Sequence, residues 1–135
     1  MRRLGLPLGA AFLLLVVGLV VRRRVTRIAV SGHSMAPTLH DGDWLLVDTH
    51  PRVARRGDIV VAHDPRATDR LIVKRVASVS TDHEVLLVSD HPAHAGEVIG
   101  SVGPSAVLGR AWLRYWPPTR AGRIARASPL DGLTA

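Results

Sequence analysis

The sequence has no cysteine, a single tyrosine, a single phenylalanine and a single lysine. Without cysteine the chain cannot form disulfides, thiolate metal sites or a cysteine nucleophile. No stripe of basic residues interleaved with aromatic residues occurs, so no nucleic-acid partner is expected. Lysine is scarce in a chain that is rich in arginine, because arginine supplies 17 of the 18 basic residues.

The formal net charge of +7 is distributed unevenly along the chain. Residues 1–27 carry six arginines and no acidic residue, and residues 110–135 carry five arginines and one aspartate. Residues 28–109 hold seven basic and ten acidic residues, so the middle of the chain is mildly acidic. Positive charge next to an apolar segment is typical of contact with anionic lipid headgroups.

One long apolar run is present, from Leu4 to Val21, and its 18 residues carry no charge. At about 1.5 Å per residue, a helix of this length would extend roughly 27 Å, close to the hydrocarbon thickness of a bilayer. A cleaved secretory signal is the alternative, but the run ends at Arg22–Arg24 and not at a small-x-small site. We therefore predict a single transmembrane helix that anchors the chain in the cell membrane. The arginine count after the run favours a cytoplasmic domain.

The remainder of the sequence is typical of a mainly β protein. Short runs of valine, isoleucine and leucine are separated by turn residues, and no long stretch after residue 27 has helical periodicity. The predicted strands are Thr26–Val30, Asp43–Asp48, Asp58–Ala62, Arg70–Val79, Glu84–Val88 and Ala106–Tyr115. We predict three parts: an anchor at residues 1–25, a domain of small curled sheets at residues 26–118, and a basic, loosely ordered tail at residues 119–135.

The single lysine, Lys74, lies in an apolar stretch from Leu71 to Val76. In a strand, its side chain would share a face with Ile72 and Val76. An apolar environment disfavours the ammonium ion, and a lysine, unlike an arginine, can then act as a neutral base. The alternative interpretation is that one lysine survives by chance in an arginine-biased composition.

A constrained bend is predicted at Ser31–Leu39, directly after the first strand. Gly32 permits an unusual backbone angle, and Pro37 favours an extended conformation at the residue before it. Ser34 should therefore lie on an exposed turn. A serine hydroxyl is a poor nucleophile without an adjacent base, and a desolvated lysine amine can be that base.

Together these segments resemble the type I signal peptidases, which are membrane-anchored serine endopeptidases with a Ser/Lys dyad. The Ser-Met-x-Pro-Thr-Leu motif begins at Ser34, and the Val-Lys-Arg-Val motif contains Lys74 at a distance of 40 residues. The other matching segments are the N-terminal apolar run, Asp43–Asp48 and Gly57–Val61. The resemblance implies one transmembrane helix followed by a small domain of curled antiparallel sheets.

The resemblance also implies roles for individual residues. Ser34 would attack the scissile carbonyl, and Lys74 would take its proton. Met35 and Gly32 would belong to the substrate-binding site, with Met35 lining the groove for small side chains. Many members have a hydroxyl at the Gly32 position that stabilises the oxyanion, which glycine cannot provide. No cofactor, metal or small-molecule ligand is implied; the expected partners are a precursor protein with a cleavable leader and the lipid bilayer.

The sequence departs from the family pattern between Ser89 and Gly100. The family usually has a serine in this region that orients the lysine, and an arginine shortly after it. Asp90 is in its expected place, but Ala95 and Ile99 stand where that serine and that arginine are expected. The second partner of Lys74 is therefore undefined, and Ser101 or a water molecule could serve.

In its short length and in the segment Leu108–Pro117, the chain is similar to a small subfamily of actinobacterial type, the maturation proteases of nickel-type superoxide dismutase. This similarity implies a protease that removes the leader of the dismutase precursor. A general type I signal peptidase that cleaves secretory signal peptides is one alternative. The other is a non-catalytic, membrane-anchored relative that acts as a binding scaffold.

Overall fold

The computed structural model describes residues 7–50, 54–94 and 97–126. One helix is followed by eight strands and three short 3-10 turns in the described residues. The helix α1 spans Leu8–Arg24. The strands are β1 Val25–Ala29, β2 Trp44–Asp48, β3 Ile59–Asp64, β4 Ala67–Val79, β5 Val85–Val88, β6 Val98–Val102, β7 Val107–Trp116 and β8 Gly122–Arg123.

The strands form one antiparallel sheet in the order β1-β2-β7-β3-β4-β5-β6, and β8 pairs with the outer part of β7. The prediction of a mainly β, antiparallel domain is therefore confirmed. Register shifts interrupt several of the pairings, which is how β-bulges bend and twist a sheet.

Strand β3 lies in the centre and is covered on both faces. Ile59 and Val61 belong to one apolar cluster, and Val60 and Ala62 belong to a second cluster on the opposite face. All four side chains are buried, which explains a strand of continuous apolar residues where a half-exposed strand would alternate. Lys74 lies opposite Val60 in the neighbouring strand β4, so the lysine emerges on the face of the second cluster.

Two strands were absent from the sequence-based prediction. Gly100 interrupts the apolar run of β6 and has a φ of 145°. A Cβ atom at this position would lie 2.9 Å from Pro65 Cγ, so glycine allows β6 to approach the β3–β4 turn. Strand β8 lies within the segment predicted as a tail, where Arg123 pairs with Leu113 and Ile124 packs against the first cluster.

The N-terminal apolar run begins as a helix directly after Pro7, and residues 1–6 of the predicted anchor lie outside the described residues. In the described part of the chain, no helix combines the length and the apolar character needed to cross a bilayer. The transmembrane part of the prediction is therefore not supported by the structure.

Candidate active site

Strand β4 positions Lys74 within the sheet. The residue lies between Ile72 and Val76 on its own face, and only 6% of its surface is exposed. This burial lowers the pKa of the Lys74 amine, and the nearby positive charge of Arg66 lowers it further. The predicted apolar surroundings of the lysine are thus present, and they favour the neutral amine.

The loop between β1 and β2 carries Ser34, and buried side chains hold it in place. Met35 and Leu39 are buried in the first apolar cluster, and the Leu39 N–H donates to the Met35 carbonyl at 2.9 Å. Gly32 has a φ of +90°, and its N–H donates to Asp41 Oδ1 at 2.8 Å. Met35 and Leu39 thus anchor the loop in the core, and the Ser34 hydroxyl faces Lys74 of β4.

The two side chains predicted to form the dyad lie in contact. Lys74 Nζ is 2.8 Å from Ser34 Oγ, which is hydrogen-bonding distance. A neutral amine at this distance can accept the hydroxyl proton as the oxygen attacks an electrophile. The geometry therefore permits nucleophilic chemistry at Ser34 with Lys74 as the base.

A second hydroxyl contacts the same amine. Lys74 Nζ donates to Ser89 Oγ at 2.9 Å, and Ser89 is buried with 7% of its surface exposed. Ser101, which was considered for this role, is exposed on β6, and Ala95 lies outside the described residues. Ile99 packs against the second apolar cluster.

Sequence reasoning missed Ser89 because it followed the family's usual spacing and not the strand register. Arg75 pairs with Val88 across β4 and β5, so continuing the antiparallel register brings Ser89 opposite Lys74. Val85 and Leu87 are buried in the second cluster, and Ser89 continues this alternation on the same face. A hydroxyl directly after β5, on the face of its buried residues, was the signal that could have identified it.

The residues next to the lysine and to Ser89 form an ion pair, in which Arg75 is buried and Asp90 is partly buried. Arg75 Nε donates to Asp90 Oδ1 at 2.9 Å, and Arg75 Nη1 donates to the Gly57 carbonyl at 2.9 Å. Asp90 also accepts a hydrogen bond of 2.7 Å from the hydroxyl of Thr38 in the Ser34 loop. Asp90 therefore connects β4 to the loop that carries the nucleophile.

Two further carboxylates support the site. The pKa of Asp64, which is fully buried, is held well below its usual value by hydrogen bonds from Arg66 and Arg70. Burial raises the pKa of Asp43, but hydrogen bonds from the His40 N–H and from two arginines lower it more, so the carboxylate stays ionised. These arginines are Arg120 and Arg114, and Arg114 also donates to the Thr38 carbonyl at 3.0 Å.

The other two predicted site residues have different environments. Met35 has 2% of its surface exposed and packs in the core. Gly32 is exposed, and a Cβ atom added to it would have no neighbour within 4 Å among the residues that the structure describes. Their assignment to substrate binding stays a prediction. The aspartates at strand ends act in turns: Asp48 accepts the His50 N–H and Asp58 accepts the Arg55 N–H, each at 2.9 Å.

Comparison with known proteins agrees with this geometry. The profile of the family described as "Signal peptidase, peptidase S26" matches residues 4–92. The chain therefore belongs to the signal peptidase family S26, a family of serine-type peptidases.

Two relatives illustrate how far the similarity extends. Subunit 2 of the mitochondrial inner membrane protease of Danio rerio is 29% identical over 150 residues, which cover 89% of this chain and 80% of that protein. Signal peptidase I of Streptococcus pneumoniae is 42% identical over 72 residues, which cover 51% of this chain and 34% of that protein. The chain thus spans about a third of the bacterial relative and most of the mitochondrial one.

Proposed function

We propose that the chain is a Ser/Lys endopeptidase that removes an N-terminal leader from a precursor protein, with Ser34 as the nucleophile and Lys74 as the general base. The 2.8 Å contact between the single lysine of the chain and Ser34 is the observation that carries this proposal. Three observations support the proposal: the amine is buried, its pKa is lowered, and it faces the serine of a loop that buried side chains anchor in the core.

The sheet offers a place for an extended peptide next to this pair. In the described residues, β5 pairs with β4 only from Arg75 onward, so the edge of β4 that precedes Lys74 is not paired with β5. Among the described strands, β1, which leads into the Ser34 loop, pairs only with β2. Unpaired strand edges bind extended peptides through main-chain hydrogen bonds. A precursor bound along such an edge would present a peptide bond to Ser34.

The proposed reaction proceeds by acyl transfer. Ser34 Oγ forms a bond to the carbonyl carbon of the substrate while its proton moves to Lys74 Nζ. The C–N bond then breaks as the lysine returns that proton to the leaving amine. A water molecule, deprotonated by the same amine, hydrolyses the acyl-serine and regenerates both groups. The backbone N–H of Ser34 is the proposed oxyanion donor, a type of interaction often worth about 3 kcal/mol.

The proposed substrate is the precursor of a nickel-type superoxide dismutase. This choice rests on the segment Leu108–Pro117. The substrate and the family activity are separable, because a secretory preprotein would use the same pair of side chains.

Attachment to a lipid bilayer through α1 is the other part of the proposal. Along this helix, apolar side chains are exposed on all sides, as in Leu8 with 92% and Phe12 with 68% of its surface exposed. Arg22 and Arg24 lie at the end of the helix that joins the domain. Exposed apolar surface of this extent indicates an apolar partner, and flanking arginines suit anionic headgroups.

The test is cleavage of two candidate precursors by the detergent-solubilised full chain, followed by N-terminal sequencing of each new product. One precursor is a nickel-type superoxide dismutase with its leader, and the other is a secretory preprotein. We expect cleavage of the first after a small residue. Cleavage of the secretory preprotein alone would reassign the substrate, and cleavage of neither would leave a binding scaffold as the better account.

Three variants test the roles of the two side chains. Ser34→Ala removes the nucleophile, and Lys74→Arg replaces the base with a group that cannot accept the proton. Each variant should therefore reduce cleavage by at least about 10³-fold. Ser31→Ala removes a hydroxyl from the same loop and should cleave at the wild-type rate. Substantial cleavage by Lys74→Arg would contradict the assignment of the lysine as the base.

A further inference from the structure

We infer that Ser89 is a positioning residue for the reaction, and that the tripeptide Ser89–His91 holds the lysine and the nucleophile loop in register. The kinetic part of this role rests on the proposed function. The residue lies outside the family's usual position for the hydroxyl that orients the lysine.

The direction of the lysine's lone pair decides whether the amine can act as a base. A neutral amine has two N–H donors and one lone pair, and the lone pair must face Ser34 Oγ for proton transfer. Lys74 Nζ contacts Ser34 Oγ at 2.8 Å and Ser89 Oγ at 2.9 Å. When Ser89 accepts one N–H, the rotation of the amine is restricted and the lone pair can be directed at Ser34.

The two residues that follow Ser89 fix the surroundings of the same pair. Asp90 accepts hydrogen bonds from Arg75, which follows the lysine, and from Thr38 in the nucleophile loop. The backbone N–H of His91 donates to the carbonyl of Ser34 at 3.0 Å. Ser89 therefore contacts the reacting amine itself, and His91 contacts the backbone of Ser34. Asp90, between them, contacts the residue after the lysine and the nucleophile loop.

Ser89 is separate from the charged groups that also act on the lysine. These groups lie in the β3–β4 hairpin and directly before β6, and they are distinct from the Arg75–Asp90 pair. They are Arg66, Arg70, Asp64 and Glu97. Replacing Ser89 changes none of them. An effect of Ser89→Ala on the titration of Lys74 is therefore attributable to the loss of the hydroxyl.

The chain is well suited to a direct test because Lys74 is its only lysine. Biosynthetic labelling of the full chain with [ε-13C]lysine gives one resonance, whose pH titration reports this amine alone. The Ser89 hydroxyl accepts a stronger hydrogen bond from an ammonium ion than from an amine. Ser89→Ala should therefore shift the titration midpoint to lower pH, and Ser89→Thr, which keeps the hydroxyl, should restore it.

Kinetics with the precursor that the wild-type chain cleaves provides the second readout. Ser89→Ala should lower kcat by roughly 10- to 100-fold with less than about 3-fold change in KM, because a misdirected base affects proton transfer more than binding. The acid limb of kcat/KM should move to lower pH together with the lysine resonance. Ser101→Ala, the matched change at the exposed serine of β6, should alter neither readout.

Two results would overturn the inference. One is an unchanged lysine titration and an unchanged kcat in Ser89→Ala. The other is a shift of the midpoint to higher pH, which would mean that Ser89 excludes water and does not accept the N–H. If the wild-type chain cleaves no precursor but its lysine titration responds to Ser89→Ala alone, the positioning contact stands and the proposed function fails.

Discussion

At the level of single residues, the protonation state of the Lys74 amine affects both the stability of the domain and its proposed chemistry. Burial lowers the pKa of the amine relative to the unfolded chain. Below the folded pKa both states are protonated, and the folded state carries the full cost of a buried ammonium ion. Between the folded pKa and the ordinary lysine value of about 10.4, the unfolded state binds more protons, so the free energy of unfolding rises with pH.

This sign leads to a prediction for Lys74→Met, which removes the titrating group. The free energy of unfolding of the wild type should increase relative to that of Lys74→Met as the pH rises from 7 to 10. Each unit by which the pKa is lowered corresponds to about 1.4 kcal/mol across that window. Urea unfolding of both chains at a series of pH values measures the difference, and a constant or decreasing difference would contradict a lowered pKa.

The sequence proposed Ser34 and Lys74 as a dyad from a lone lysine in an apolar strand, a constrained serine bend and the family motifs around them, and the structure places the two side chains in contact. The sequence was not sufficient to identify Ser89. That contact depends on the register of β5 against β4, which brings the residue after β5 opposite Lys74, and the register of two strands is set by side-chain packing over the whole pair.

At the level of strands and helices, β2 and β7 come close together at Gly109. A Cβ atom there would lie 2.3 Å from the Asp48 carbonyl oxygen and 2.9 Å from Val47 Cγ1. The backbone contact cannot be relieved by rotation of a side chain. Glycine at this position therefore allows β2 and β7 to lie this close together.

Gly109→Ala should lower the free energy of unfolding by about 1 to 3 kcal/mol, the usual cost of overpacking a buried site. Gly122→Ala is the matched control, because Gly122 lies on β8 next to the same strand and no atom of the described residues lies within 4 Å of its Cβ position. Chemical denaturation of both variants provides the comparison. Equal stabilities of the two variants would show that the sheet accommodates a methyl group at the β2–β7 contact.

Strands β3 and β5, which the sequence predicted, have uninterrupted apolar runs with clear turn residues on both sides. The missed strands carry weaker signals. Strand β6 contains a glycine, and β8 has two exposed residues whose pairing depends on β7 being in place. Local sequence patterns do not report a strand that is stabilised mainly by its partner.

At the scale of the whole molecule, the chain combines a β domain that buries its apolar residues with a helix that exposes them. Leu14 and Val17 of α1 have 62% and 49% of their surfaces exposed. The proposal assigns this surface to a bilayer, where a carboxylate near the centre of an inserted helix costs about 2.5 to 3.5 kcal/mol.

The full chain should therefore float with vesicles of phosphatidylcholine and phosphatidylserine in a density gradient, also at high salt. The double substitution of Leu14→Asp and Val17→Asp should abolish flotation. Val98→Asp, which places the same charge on an exposed apolar residue of β6, should float as the wild type does. A wild-type chain that stays at the bottom of the gradient would contradict the bilayer as the partner of α1.

The proposed chemistry requires a neutral amine at Ser34, and the single lysine permits this state to be measured directly. The [ε-13C]lysine resonance of the wild-type chain can be titrated in the folded protein and again in denaturant. We predict a midpoint for the folded chain below that of the unfolded chain. A folded midpoint equal to or above the unfolded one would show that Lys74 remains an ammonium ion, and it could then not serve as the base.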